Sequence, residues 1–217
     1  MNISINNHII SNVDNLEYLG VILDNKLTWN SHIAQVRKQI SQACGALTRL
    51  RHYLSINSLI TVCCSLLFSH LQSGISSWRS ASTYLLKTIK TIQNKILRLI
   101  TFSSYRLNAE KLYEQLKSLN LNDNYKLQIA KLMHKFKHDC LPSVLNYLFT
   151  KLDNIHSYNT SQKTSQEYIV PRKRLANAQK SLAYIGVKIW ESLDQNLKVQ
   201  PLYIFKTKWK LHFSNQY

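Results

Sequence analysis

The stretch Glu17-Tyr18-Leu19-Gly20-Val21-Ile22-Leu23-Asp24-Asn25-Lys26-Leu27-Thr28-Trp29-Asn30-Ser31-His32-Ile33 changes character twice. Tyr18, Leu19, Val21, Ile22 and Leu23 are strand formers, and the Gly20 among them predicts a bulge or a close backbone approach. Asp24-Asn25-Lys26 is turn chemistry, after which Asn30 or Ser31 can cap a helix that starts near His32. The stretch reads as strand, turn and helix start.

The chain beyond it is helical. Over 31–53, Ile33, Val36, Ile40, Ala43, Leu47 and Leu50 recur every three or four residues, with Lys38 and Arg49 on the far side and Arg37 on the flank. Ser55 caps a second helix over 56–78, where Leu59, Ile60, Val62, Cys63, Leu66, Leu67, Phe68 and Leu71 leave almost no polar face, as expected at the centre of a bundle. Gly74 and the serines after it predict a bend. A third helix, 84–101, sets Leu85, Ile89, Ile92, Ile96, Leu99 and Ile100 against Lys87, Lys90, Lys95 and Arg98. Those four cations span an arc of about 140° at about 100° per residue. Helices over 109–118 and 123–138 come next, then a short one over 143–149 entered through Pro142.

The flanks are less regular. Residues 2–10 alternate like a hairpin around an Asn6-Asn7 turn. The chain turns polar over 150–166, which marks a linker. Beyond it a strand-like Tyr168-Ile169-Val170 precedes the basic triplet Arg172-Lys173-Arg174. Residues 181–193 carry Tyr184, Ile185, Ile189, Trp190 and Leu193, and a last helix over 202–213 interleaves Phe205, Trp209 and Phe213 with Lys206, Lys208 and Lys210. The expected architecture is mainly α: a β-hairpin region (1–30), a helical bundle (31–149), a polar linker (150–167) and a small C-terminal α+β module (168–217).

Composition agrees. Only 4 Gly and 3 Pro in 217 residues argue against a turn-rich barrel and for long helices. The balance of 28 Lys+Arg against 11 Asp+Glu gives +17, a surplus that resists compaction unless a polyanion is met, so nucleic acid is the natural partner. No apolar run reaches the ~18–20 residues of a membrane span, and the N-terminus lacks the order of a signal peptide. The expectation is a soluble intracellular protein, in nucleus or cytoplasm, with no membrane partner. Cys44, Cys63, Cys64 and Cys140 are expected unpaired. His134, His138 and Cys140 lack a fourth ligand within sequence reach, so the two histidines read as surface groups on a basic helix rather than metal ligands. Trp29, Trp78, Trp190 and Trp209, at helical spacing among apolar neighbours, read as core.

The order Tyr18-Leu19-Gly20-Val21-x-Leu23-Asp24, then Leu27-x-Trp29-x-x-His32-Ile33, resembles the junction after the palm in reverse transcriptases of non-LTR, jockey-like (LINE-type) retrotransposons. Phe68-Ser69-His70-Leu71-Gln72-Ser73-Gly74-Ile75 with Trp78, and the run Ile92 to Ile100, resemble the thumb of the same family. Ile155 to Thr160 and Gly186-x-Lys188-x-Trp190-x-Ser192-Leu193 look like its post-thumb region. The resemblance implies that the chain is the C-terminal portion of an RNA-directed DNA polymerase, with a primer-grip strand and a thumb. It implies that Tyr18, Leu19 and Gly20 approach the primer, and that the partners are an RNA template and an RNA–DNA or DNA duplex, with a palm and fingers portion elsewhere.

The family's polymerases hold two divalent ions with an early aspartate and an adjacent Asp-Asp pair. Asp14, Asp24, Asp123, Asp139, Asp153 and Asp194 include no adjacent pair. Mg2+ is therefore expected only in a polymerase complete with its palm, and this chain alone is expected to bind no cofactor and to be inactive. Arg37, Lys38, Arg49, Lys87, Lys90, Lys95 and Arg98 are the candidate phosphate contacts, which would hold duplex without reading sequence, and Arg172-Lys173-Arg174 is a candidate for binding RNA or for a nuclear-import signal. Two other classes fit the same residues: a stand-alone basic nucleic-acid-binding module derived from a decayed element, and a helical interaction protein whose basic faces meet an acidic partner or membrane surface.

Overall fold

A computed structural model describes residues 3–5, 8–10, 13–152 and 167–214, and the chain is mainly α with small antiparallel hairpins at its start. Strands β1 (Ile3–Ile5) and β2 (His8–Ile10) pair with Ile3 opposite Ile10; the Asn6-Asn7 turn expected between them lies outside the described residues. Strands β3 (Asn15–Tyr18) and β4 (Val21–Asp24) form a second hairpin with Tyr18 opposite Val21.

The second hairpin corrects the first expectation. Tyr18 to Leu23 is not one strand carrying a bulge, because Leu19 (φ 50°) and Gly20 (φ 76°) make a two-residue turn. Two left-handed residues in succession give the backbone twist that suits a tight hairpin. The turn places Leu19 at the tip, 82% exposed.

The entry to the first helix differs too. Helix α1 (Asn30–Leu50) has Trp29 at its N-cap, left-handed at φ 67° and without a side-chain cap. The turn that leads into it is held by Asp24 at the end of β4. Its carboxylate accepts from the backbone N–H of Thr28 at 2.9 Å, Trp29 at 2.7 Å and Lys26 at 3.2 Å. These donors, Thr28 foremost, hold the Asp24 carboxyl below its ordinary value.

The apolar run after Ser55 is helix α2 (Ile56–Cys63), a π turn over Cys64–Phe68, and α3 (Ser69–Gln72). Within it the Ser65 hydroxyl donates back to the carbonyls of Thr61 and Val62, the kind of insertion that bends a helix. Ser73 and Gly74 break the run before the single turn α4 (Ile75–Trp78). Ser82 caps α5 (Thr83–Ile100), Asn108 caps α6 (Ala109–Gln115) and Asn120 caps α7 (Leu121–Lys137). The helix expected over 143–149 is only a 3-10 turn, Ser143–Leu145. Short helices α8 (Ala176–Gln179) and α10 (Gln195–Lys198) flank α9 (Leu182–Glu191), and α11 (Leu202–Ser214) ends the described chain.

Two apolar clusters share α7. The first packs α1 on α5 through Ile33, Ile40, Leu47, Ile89 and Ile96, closed by Leu59, Leu67 and Trp78 and reached by Tyr125 and Ile129. The second sets Met133 and Phe136, in the C-terminal half of α7, against Phe149, Tyr168, Trp190, Phe205 and Trp209. All four tryptophans are buried. His134 is buried as well, contrary to a surface reading: α9 and α11 cover this side of α7, and its ring lies 5.0 Å from that of Phe205. Its Nε2 pairs with the Gln200 carbonyl at 2.7 Å.

Charged groups lock this second cluster. The Glu191 carboxylate accepts from the N–H of Glu167 (2.9 Å) and Tyr168 (3.0 Å), and it faces Lys198, a lysine 1% exposed, at 3.6 Å. Glu167 in turn accepts from Lys137 at 2.9 Å and from the Trp190 indole at 3.2 Å. Most of the stretch 150–167 lies outside the described residues, but its two ends pair with each other: Ile169 N–H donates to Thr150 and Leu152 N–H to Glu167.

Candidate nucleic-acid interface

The hairpin tip is carried outward by a docked base. Gly74 is left-handed at φ +60°, and a Cβ there would meet Val21 Cγ2 of β4 at 2.6 Å, so only glycine lets the strand lie this close. Beside that contact the Ile22 N–H donates to His32 Nδ1 at 3.3 Å. The accepting Nδ1 places the proton of the neutral ring on Nε2, and burial pushes the His32 pKa down. The His32 ring lies 5.9 Å from Trp78, whose Nε1 donates to the Ser73 carbonyl at 2.7 Å. Val21, His32, Gly74 and Trp78, drawn from separate motifs, thus meet at one joint. Tyr18 and Leu19 stand beyond it, 64% and 82% exposed.

The predicted cations separate into groups. Arg37, Lys38 and Arg49 are exposed along α1, and Arg172, Lys173 and Arg174 are exposed before α8. Lys95 is exposed on α5. Arg98 is half-buried and spoken for, its Nε and Nη2 donating to the Leu107 carbonyl at 3.2 and 3.0 Å with Tyr105 beneath it. Its role in the structure is to tie the loop after α5. Lys87 and Lys90 are brought together with a residue that periodicity does not single out, Arg79. The three line a groove of about 230 Å³ with Asn120 and Asn122 at the start of α7. Arg79 donates to the Asn122 side-chain amide oxygen Oδ1 and lies over Tyr125, 5.7 Å from the ring centre. Burial lowers its pKa, opposed by Tyr125, though a guanidinium stays charged. Three cations, two amides and a helix N-terminus on one groove make an anion-binding surface.

A second cationic place was equally hidden in the sequence. Lys117, Lys131, Lys206 and Lys210 converge on a cleft of about 550 Å³ between α7 and α11. The Lys-rich rhythm of the last helix was its only signal, and nothing in that rhythm says which helix it faces.

Among the described residues no three His, Cys, Asp or Glu side chains gather as a metal-holding group. Asp24 and Asp194 cap local turns, and Asp123 pairs with Lys126 at 3.2 Å. Among the described residues no helix is long and apolar enough to cross a membrane.

Fold and groove together define a basic helical chain with a projecting hairpin and a cation-lined groove. Its curated homologues are RNA-directed DNA polymerases of non-LTR retrotransposons. The chain is 26% identical over 168 residues to a probable RNA-directed DNA polymerase from transposon X-element of Drosophila melanogaster, covering 76% of this chain and 18% of that protein. It is 26% identical over 136 residues to the RNA-directed DNA polymerase from mobile element jockey of the same fly, and 25% to that of Drosophila funebris, covering 61% of this chain and 15% of each. The chain therefore spans less than a fifth of the length of the curated relatives it matches. No family model matches it, and no solved structure matches it significantly.

Proposed function

We propose that the chain is the thumb and post-thumb portion of a retrotransposon RNA-directed DNA polymerase, and that it grips the primer–template duplex while a palm elsewhere performs the chemistry. The observation that carries this reading is the groove in which Arg79, Lys87 and Lys90 meet the start of α7. Lysine and arginine contacts to a phosphate backbone hold a duplex independently of its sequence. The exposed Tyr18-Leu19-Gly20 tip is the part that would reach the primer once a palm is present. The net charge of +17 and the homology to polymerases support the same assignment.

The test is a competition. An RNA–DNA hybrid and vesicles rich in anionic lipid are offered together to the chain at moderate salt. Retention on the hybrid is the expected result. Preference for vesicles would replace the duplex grip with a membrane-surface role.

A further inference from the structure

The lysine cleft between α7 and α11 does not end blindly. Gln72, Lys117 and Lys210 line it and also line an adjoining pocket of about 400 Å³, within the range of roughly 300–1,000 Å³ usual for small-ligand sites. The two spaces differ in chemistry. The outer cleft has four lysines and no acidic side chain in its wall. The cations are close enough to oppose one another: burial first, then Lys206, Lys135 and Lys210, lower the pKa of Lys131. The inner pocket is walled by Ile60, Leu97, Ile100 and Leu116 and by the π turn, which supplies Cys64, Ser65 and Phe68. π turns recur at functional sites.

The wall of the inner pocket also includes polar residues. The Ser118 hydroxyl is buried with no hydrogen-bond partner. Asn124, 3% exposed, lines the same wall, and no hydrogen bond ties its side-chain amide to the described residues. An acyl chain would leave both groups unpaired, at the cost that accompanies a buried orphan. A flat heterocycle with donors and acceptors on its edge would satisfy them.

We infer that the joined pocket and cleft hold an unpaired nucleotide of a single strand, its base in the pocket against Ser118 and Asn124 and its phosphates on Lys117, Lys131, Lys206 and Lys210. Tyr203, 71% exposed at the cleft, offers a stacking face to the next base. The site is separate from the duplex groove. Asn122 borders the groove and Lys131 the cleft, and nine residues at about 100° each put them on opposite faces of α7, about 14 Å apart along it. The inference rests on the reading that this chain meets nucleic acid, and it adds a strand leaving the duplex to that reading.

Cys64 in the pocket wall supplies the test, since Cys44 and Cys63 are buried and Cys140 is the other exposed thiol. In a Cys140→Ser background, alkylation of Cys64 by iodoacetamide is timed with an oligothymidylate or oligoadenylate of about ten nucleotides, with blunt duplex and with oleate. A strand present at ten times its own dissociation constant should slow alkylation about tenfold, and blunt duplex should not. Lys131→Ala/Lys206→Ala and, separately, Asn124→Leu should restore the fast rate in chains whose melting is unchanged. Strands that bind without protecting Cys64, or protection by oleate in place of the strands, would overturn the inference. Because blunt-duplex binding is read in the same samples by anisotropy, its loss identifies a failure of the proposed function instead.

Discussion

Single residues decide whether the hairpin can project. Gly74 answers two demands, a left-handed backbone and contact with Val21 at a distance no Cβ allows, whereas a Cβ on Gly20 would meet nothing within 4 Å. Gly74→Ala should therefore cost the left-handed penalty of about 1–2 kcal/mol and a displaced strand besides, and Gly20→Ala only the penalty. Thermal unfolding of the two variants side by side checks the difference; equal losses would mean that the Val21 contact contributes nothing. Asp24→Ala should also lower the melting temperature, because Lys26, Thr28 and Trp29 lose their acceptor and Trp29 must keep its left-handed backbone unaided. None of this strain was legible beforehand. The turn chemistry of Asp24-Asn25-Lys26 was plain, but nothing in it says that the Asp24 carboxylate reaches on to the N–H of Thr28 and Trp29 while Asn30 and Ser31 cap nothing.

At the scale of elements, the long amphipathic helices were the readable part. The stripes of Ile33 to Leu47 and Ile89 to Ile100 are the faces by which α1 and α5 pack. Harder to read was α7, which is buried on two sides, so that a histidine one would place in solvent lies under Phe205. What holds that second side is charge as well as oil. Glu191→Ala should strand the buried Lys198 ammonium and cost about 3–5 kcal/mol, measured by denaturant unfolding. Lys198→Met should cost less, since Glu191 keeps two N–H donors. Glu167 adds a pH dependence. Burial opposes its ionisation, but the Lys137 ammonium and the Trp190 indole overcome this and hold its pKa below the ordinary 4.5. A lowered folded-state value means that the stabilisation is complete above that ordinary value and is lost as pH falls through the folded one. Glu167→Gln should flatten this limb of the melting-temperature profile and leave the limb due to Asp24.

Across the whole molecule, the chain presents cations on two faces of α7 and a hairpin tip beyond its core. The surplus of positive charge announced a polyanion without placing it. Lys87 and Lys90 were visible as a helical face, but Arg79 comes from a serine-rich bend, and only the fold sets it opposite them. Conversely Arg98 shares their arc and is diverted to the Leu107 carbonyl, which side-chain periodicity cannot foretell. Arg98→Ala should accordingly disturb the loop after α5 more than it disturbs binding. The central claim, that the Arg79–Lys87–Lys90 groove grips phosphates, is tested most directly by titrating salt against duplex affinity for the native chain and for Lys87→Ala/Lys90→Ala. Each lost phosphate contact removes about one from the slope of log affinity against log salt, so the double variant should be shallower by about two. An unchanged slope and affinity, in a variant that melts like the native chain, would contradict the account.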